Sequence, residues 1–238
     1  MPTVSALEIG PFNAPKLKGP GVAYFDVMDQ RDLRMRATAL GLDPLHCPPI
    51  DFVAPNGDLS IVGRAFDVVF SSHCVEHQPD LIRHLIQVEK LLTPGGAYHL
   101  IVPDKRVCFD HYLPESTLAD IRAAWTEQRT VHTPAAVLNH RLRTTHNNKF
   151  LHWLGRHGPR PPELKSGARL EAAMAEAKRA GEGDYVDVHA WCFTPRGFRE
   201  IILGLRGLGL IGLAVEAVHT TLPGAFEFFA VLRKPANH

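Results

Sequence analysis

Acidic residues closing short apolar runs are the first sign of chemistry in this chain. Glu8-Ile9-Gly10 ends one run, Asp26 ends the next about sixteen residues on, and Asp51 lies in a third. In an open α/β sheet, ligands bind outside the carboxyl ends of the strands, and an acidic residue there accepts hydrogen bonds from both hydroxyls of a ribose. Asp26 is placed for that task, and Asp51 for an adenine amine. Each has a second reading, since an Asp at a strand end also caps a following helix and a Gly also permits a turn. The strand-end placement recurs three times, and together the three favour a nucleotide-like ligand.

His73-Cys74-Val75-Glu76-His77 matches H-x-x-E-H, a zinc motif that needs both histidines on one helical face. Here it follows an apolar run and precedes Pro79, where a helix begins, so the spacing is expected to fall in a turn and not to converge. His132, His140, His146, His152 and His157 are too widely spaced to be ligand pairs and read as polar groups on a pocket rim. No metal is expected.

The elements that must position these residues alternate. Strand-like runs span Thr3 to Ile9, Val22 to Asp26, Ile50 to Val53, Phe66 to Ser71 and Ala97 to Val102. Between them, Arg31 to Leu40 reads as a helix, and so does Asp80 to Leu92, where Leu81, Leu85, Val88 and Leu92 share one face. Pro79 suits its first turn, and Thr93-Pro94-Gly95-Gly96 stops it and turns the chain into the next strand. Such alternation predicts a parallel sheet with right-handed crossovers. The C-terminal part reads as a helix from Thr194-Pro195 to about Leu208, then strands Leu213 to Thr220 and Phe226 to Leu232, antiparallel across a Pro223-Gly224 turn.

Between these parts, residues 104–187 read as a mainly helical insertion, with helices near Thr117 to Gln128 and Arg169 to Ala180. From Asp104 to Ala180 the chain carries 13 Lys+Arg and 8 Asp+Glu, a local +5 within a chain whose total is +1. That asymmetry marks either an anion-facing surface or a solvated face. With 26 Lys+Arg against 25 Asp+Glu overall, no basic surplus announces a nucleic-acid or anionic-membrane binder. The 238 residues, 45% hydrophobic and 21% charged, suit one domain with an elaboration. No apolar run is long enough to span a bilayer, since Ile201 to Val215 is cut by Arg206 and four glycines. MPTVSALEIG lacks a basic leader, and Cys47, Cys74, Cys108 and Cys192 show no paired or zinc-type spacing, so a reduced, cytoplasmic protein is expected.

Glu8-Ile9-Gly10, Asp26, Asp51, FDVVFSSHCVEH at Phe66 to His77 and LLTPGG at Leu91 to Gly96 resemble successive motifs of class I S-adenosylmethionine-dependent methyltransferases. PDKRVCFDH at Pro103 to His111 and DVHAWCFTPRGF at Asp187 to Phe198 resemble a bacterial subgroup of methyltransferase-domain proteins. The resemblance implies a Rossmann-like seven-stranded α/β sheet ordered 3-2-1-4-5-7-6 with strand 7 antiparallel, and S-adenosyl-L-methionine as cofactor. Glu8 and Gly10 would lie beside the methionine part, Asp26 would hold the ribose, Asp51 and Phe52 would flank the adenine, and Ser71 would contact cofactor after strand four. The transferred methyl would lie above strands four and five, making His73, His77 and Asp104 the nearest candidates for proton removal, histidine being favoured by its ordinary pKa. Asp104, with Lys105 and Arg106, has an equal reading as a structural ion-pair cluster.

The chain departs from the family's acidic-x-Gly-x-Gly-x-Gly loop, reading Glu8-Ile9-Gly10-Pro11-Phe12-Asn13-Ala14. Phe12 must then point away from the cofactor or reshape its pocket, and the first crossover helix must be short or absent. The expected function is methyl transfer to a small-molecule acceptor, anionic or sugar-like, bound by residues 104–187, with nucleic acid a less favoured acceptor. A non-catalytic scaffold with a degenerate cofactor loop is the alternative. A nicotinamide oxidoreductase ranks last, because Gly10-Pro11-Phe12-Asn13-Ala14-Pro15 supplies only the first glycine of G-x-G-x-x-G.

Overall fold

A computed structural model describes residues 4–159 and 167–236. Thr3, at the start of the first expected strand, and residues 160–166 of the expected insertion lie outside the described residues. Seven strands form one sheet: β1 (Ala6–Ile9), β2 (Val22–Asp26), β3 (Phe52–Val53), β4 (Phe66–Ser72), β5 (Leu92–Pro103), β6 (Ala214–Val218) and β7 (Glu227–Arg233). Their order is β3-β2-β1-β4-β5-β7-β6, with β7 antiparallel to both neighbours and the other pairs parallel, as the resemblance implied.

The helices are α1 (Gln30–Ala39), α2 (Leu81–Leu91), α3 (Leu118–Thr126), α4 (Pro134–Arg143), α5 (Lys149–Trp153), α6 (Ala168–Gly181) and α7 (Pro195–Gly207). Local chemistry explains their starts. Asp29, Asp80 and Thr194 each accept a backbone N–H of the first turn of α1, α2 and α7, and Thr117 and Asp120 form a reciprocal capping box on α3. Helices α4 and α5 were missed in the sequence, because His and Arg dilute any apolar face there. The core lies along the sheet, with Leu7, Val69, Tyr98, Leu100 and Phe228 packed against Leu85 and Val88 of α2 and Phe198 and Ile202 of α7. A second, small core of Val137, Ala177, Ala180, Val186 and Val188 holds α4 and α6 together.

Two features set the geometry of the functional end. Thr93 to Gly96 leave the β4–β5 ladder and return to it, since Leu92 pairs with Phe66 while Ala97 pairs with Val68. Gly96 is required there, because a Cβ would meet the Thr93 and Asp67 carbonyl oxygens at 2.9 and 3.0 Å. The link from β1 to β2 contains no helix, as expected. Instead the buried Glu8 carboxylate accepts the backbone N–H groups of Lys16 (2.9 Å) and Leu17 (2.8 Å), and Tyr24 Oη donates to Leu17 O (2.6 Å). No helix among the described residues is long and apolar enough to cross a membrane.

Candidate functional site

A cleft of about 610 Å³ opens at the carboxyl ends of β1, β2 and β4. Gly10, with φ +70°, leaves β1 and donates its N–H to Phe25 O, which turns the chain away and clears the mouth. Asp26, at the end of β2, lines the cleft at 7% exposure, and its carboxylate accepts the Met28 N–H at 3.2 Å. Burial raises the pKa of Asp26, partly offset by the backbone N–H groups of Met28, Val27 and Phe12 and by the charge of Arg36. A buried carboxylate facing a cleft is suited to accepting neutral hydroxyl donors, which compensate its desolvation without requiring a cation.

Phe12 keeps the backbone of the glycine that the resemblance expects, with φ +44°. Its ring lines the cleft wall, packs beside the Leu33, Ala37 and Cys47 cluster, and lies 5.8 Å below the Arg36 guanidinium. The pocket is therefore reshaped around an aromatic wall.

The other expected cofactor residues stand elsewhere. Glu8 is spent on the β1–β2 link and does not line the cleft. Asp51 accepts the Tyr24 N–H (2.8 Å), extending the short β3 edge, and Phe52 lies 6.0 Å from the Arg64 guanidinium; neither lines the cleft. Ser71 is buried beneath it, its hydroxyl 2.7 Å from Tyr98 Oη, which in turn lies 3.0 Å from His84 Nε2. Pro55, Gly57, Leu59, Met28, His84 and Tyr185 also line the cleft. No sequence signal pointed to these, because Pro55, Gly57 and Leu59 lie in irregular chain and His84 sits inside an ordinary amphipathic helix. Burial lowers the His84 pKa to about 4.

The opposite wall is built from the turn after β4. His73 holds φ +51°, and its N–H donates to Ile101 O, so its ring faces the cleft. Val75 to His77 make one 3₁₀ turn, which is tighter than an α-helix, and the turn buries Glu76 completely. His73 and His77 share no ligand-type cluster among the described residues, although Glu76 Oε1 lies 3.5 Å from His73 Nδ1 and 4.0 Å from His77 Nε2.

The two motifs flanking the insertion meet at this turn, a convergence that no spacing in the sequence revealed. From the second, Ala190 and Trp191 donate their N–H groups to Glu76 O, and Trp191 Nε1 donates to Gln78 O. His189 Nε2 comes to 4.0 Å from Glu76 Oε1, while its Nδ1 lies 2.6 Å from Oδ2 of the buried Asp110, supplied by the first motif. His77 Nδ1 faces Asp187 Oδ1 at 2.9 Å, and Arg36 reaches the other Asp187 oxygen at 2.8 Å across the cleft. Burial pulls the His77 pKa down, but Asp187, Glu76 and Asp110 outweigh it and hold it above its ordinary value; His77 and Arg36 hold Asp187 well below the carboxylate range.

Asp104 is fully buried and saturated. It accepts Arg106 Nε, the Arg106 backbone N–H and the Thr221 hydroxyl (2.6 Å), and it does not line the cleft. Of the expected ion-pair cluster, Arg106 pairs with Asp104, whereas Lys105 Nζ donates to His111 O at 3.2 Å.

No known protein family and no curated protein matches the sequence. Comparison with solved structures returns methyltransferases at low identity. One is the CcbJ methyltransferase from Streptomyces caelestis, at 14% identity over 98% of this chain and 89% of that one, TM-score 0.47. Another is an S-adenosylmethionine dependent methyltransferase from Mesorhizobium loti, at 17% identity over 97% and 90%, TM-score 0.43. A third is the trans-methyltransferase CalH in complex with SAH, at 14% identity over 97% and 51%, TM-score 0.44. The chain spans about half the length of CalH and of the CurJ carbon methyltransferase. The sheet order 3-2-1-4-5-7-6 with strand 7 antiparallel is the one the resemblance implied.

Proposed function

We propose that the chain is an S-adenosylmethionine-dependent methyltransferase acting on a small-molecule acceptor. The observation that carries this reading is Asp26: a buried carboxylate at the end of β2, without a direct ion pair among the described residues, lining a cleft at the switch point of the sheet. When bound, the cofactor supplies an electrophilic methyl on a sulfonium, which an acceptor lone pair attacks as the carbon–sulfur bond breaks. Asp26 would accept the ribose hydroxyl hydrogens. Phe12 and Arg36 line the cleft beside it, and Pro55, Gly57 and Leu59, which also line it, would flank the base in place of Asp51 and Phe52.

The acceptor enters from the side of His73, His77 and Tyr185, where residues 104–187 meet the sheet. Positioning the acceptor in line with the sulfonium supplies most of the rate. His73 takes the proton released by a hydroxyl or amine acceptor, since it faces the cleft, with Glu76 Oε1 3.5 Å from its Nδ1 and Glu227 Oε2 3.8 Å from its Nε2. Glu8 and Ser71 act at one remove, by holding the β1–β2 link and the floor beneath the cleft.

Thermal unfolding with ligands tests the reading. S-adenosylhomocysteine at about a hundred times its Kd is expected to stabilise the fold by about 2.7 kcal/mol, while equimolar NAD+ leaves it unchanged. Stabilisation by NAD+ and none by S-adenosylhomocysteine or S-adenosylmethionine would contradict it.

A further inference from the structure

We propose that Glu76, His77 and His189 form a binding site for one divalent transition-metal ion on the insertion side of the cleft. The site does not rest on the methyl-transfer reading. Neither Glu76 carboxylate oxygen has a hydrogen-bond partner among the described residues, although the side chain is 0% exposed. A buried carboxylate left bare is expensive, and it persists where something cationic is meant to face it.

What faces it is a pair of imidazoles already oriented as ligands. The Nδ1 edge of His189 is committed to the Asp110 carboxylate, which can only accept, so the Nδ1 carries the proton and the lone pair of Nε2 points at Glu76. His77 also turns Nε2 toward Glu76, with Asp187 Oδ1 2.9 Å from its Nδ1 but outside hydrogen-bond geometry. A carboxylate behind a ligating histidine, as Asp110 stands behind His189, is the arrangement that fixes tautomer and ring direction around a metal.

The spacing fits. One oxygen and two nitrogens lie within 4.8 Å of one another, with both nitrogens 4.0 Å from Glu76 Oε1. An ion held at about 2.0–2.2 Å from each donor needs separations of roughly 3–4 Å, so the three side chains close on it by up to about an ångström. Two imidazoles and one carboxylate select zinc, iron(II) or cobalt(II) over magnesium or calcium. Three protein ligands leave coordination positions open, and His77 lines the cleft, so those positions face an incoming oxygen or nitrogen donor. His111, His152 and His157 make a second cluster in the insertion, but there His152 Nδ1 and His157 Nδ1 already meet each other at 2.9 Å, and no buried carboxylate is left bare.

The test uses the full chain stripped with chelator and titrated with cobalt(II) and zinc(II), each without any other ligand. One equivalent is expected to bind, with absorption near the cobalt d–d bands and X-ray absorption fitting two imidazoles plus oxygen. Glu76→Gln and His189→Gln, checked for folding by circular dichroism, are expected to weaken binding at least a hundredfold, and Asp110→Asn about tenfold or more. His157→Gln is expected to leave it unchanged. Failure of the wild type to bind would overturn the proposal. So would retention of affinity in folded Glu76→Gln, or a three-imidazole spectrum abolished by His157→Gln. If neither variant folds, the wild-type X-ray absorption spectrum decides alone.

Discussion

At the scale of the residue, burial decides which charged groups serve structure and which are left for ligands. Asp104 is saturated by Arg106 and Thr221, so Asp104→Asn should lower stability by about 1–3 kcal/mol in urea unfolding while changing S-adenosylhomocysteine affinity less than twofold. Loss of affinity with unchanged stability would reverse that assignment. His84, 4% exposed and with Nε2 3.0 Å from the neutral hydroxyl of Tyr98, has its pKa lowered to about 4 by burial. Its folded pKa lies below its unfolded value near 6.5, so the unfolded chain binds the proton first. The stability His84 permits is complete above pH 6.5 and is lost as pH falls toward 4, by roughly 3 kcal/mol in all. His132 and His140, also lowered to about 4 by burial, add slope in the same direction. The difference between wild type and His84→Gln isolates the His84 share, and parallel stability–pH curves would refute it.

At the scale of the element, the unusual feature is a crossover without a helix. Residues 10–21 are anchored through Glu8, which takes the place of a packed helix by holding two backbone N–H groups. Glu8→Ala leaves both donors without a buried acceptor and should cost about 2–3 kcal/mol, with faster amide exchange at Lys16 and Leu17. Unchanged exchange there would show that the link is held by other contacts. Most elements could be read in the sequence because their signals are local. Val22–Asp26 has an apolar run with an acidic end, α2 has Pro79, Asp80 and a four-residue apolar face, and α7 has Thr194-Pro195. The edge β3 is only Phe52–Val53, and ahead of it Asp51 prolongs the contact with β2, donating its N–H to Tyr24 O and accepting the Tyr24 N–H on its side chain. In the site, Gly10, Asp26, His73 and His77 were legible from strand ends. Asp110, Asp187 and His189 were not, because what gives them a role is a contact between segments far apart in sequence, folded around a single 3₁₀ turn.

At the scale of the whole molecule, the sheet and the insertion divide one cleft. The β1–β2 side presents Asp26, Phe12 and Arg36; the side formed by the β4 turn and the end of the insertion presents His73, His77 and Asp187, joined to the first by the Arg36–Asp187 pair. That pair is exposed, so it contributes little to stability, and its consequence is positional, since it ties α1 to the end of the insertion. The central claim is that Asp26 makes this cleft a cofactor site. Calorimetric titration of S-adenosylhomocysteine into wild type and Asp26→Ala tests it most directly. The account predicts binding by the wild type and a loss of about ten- to a hundredfold in the folded variant, the worth of hydrogen bonds to a charged acceptor. Equal affinity in the two proteins, or no binding by a folded wild type, would contradict it.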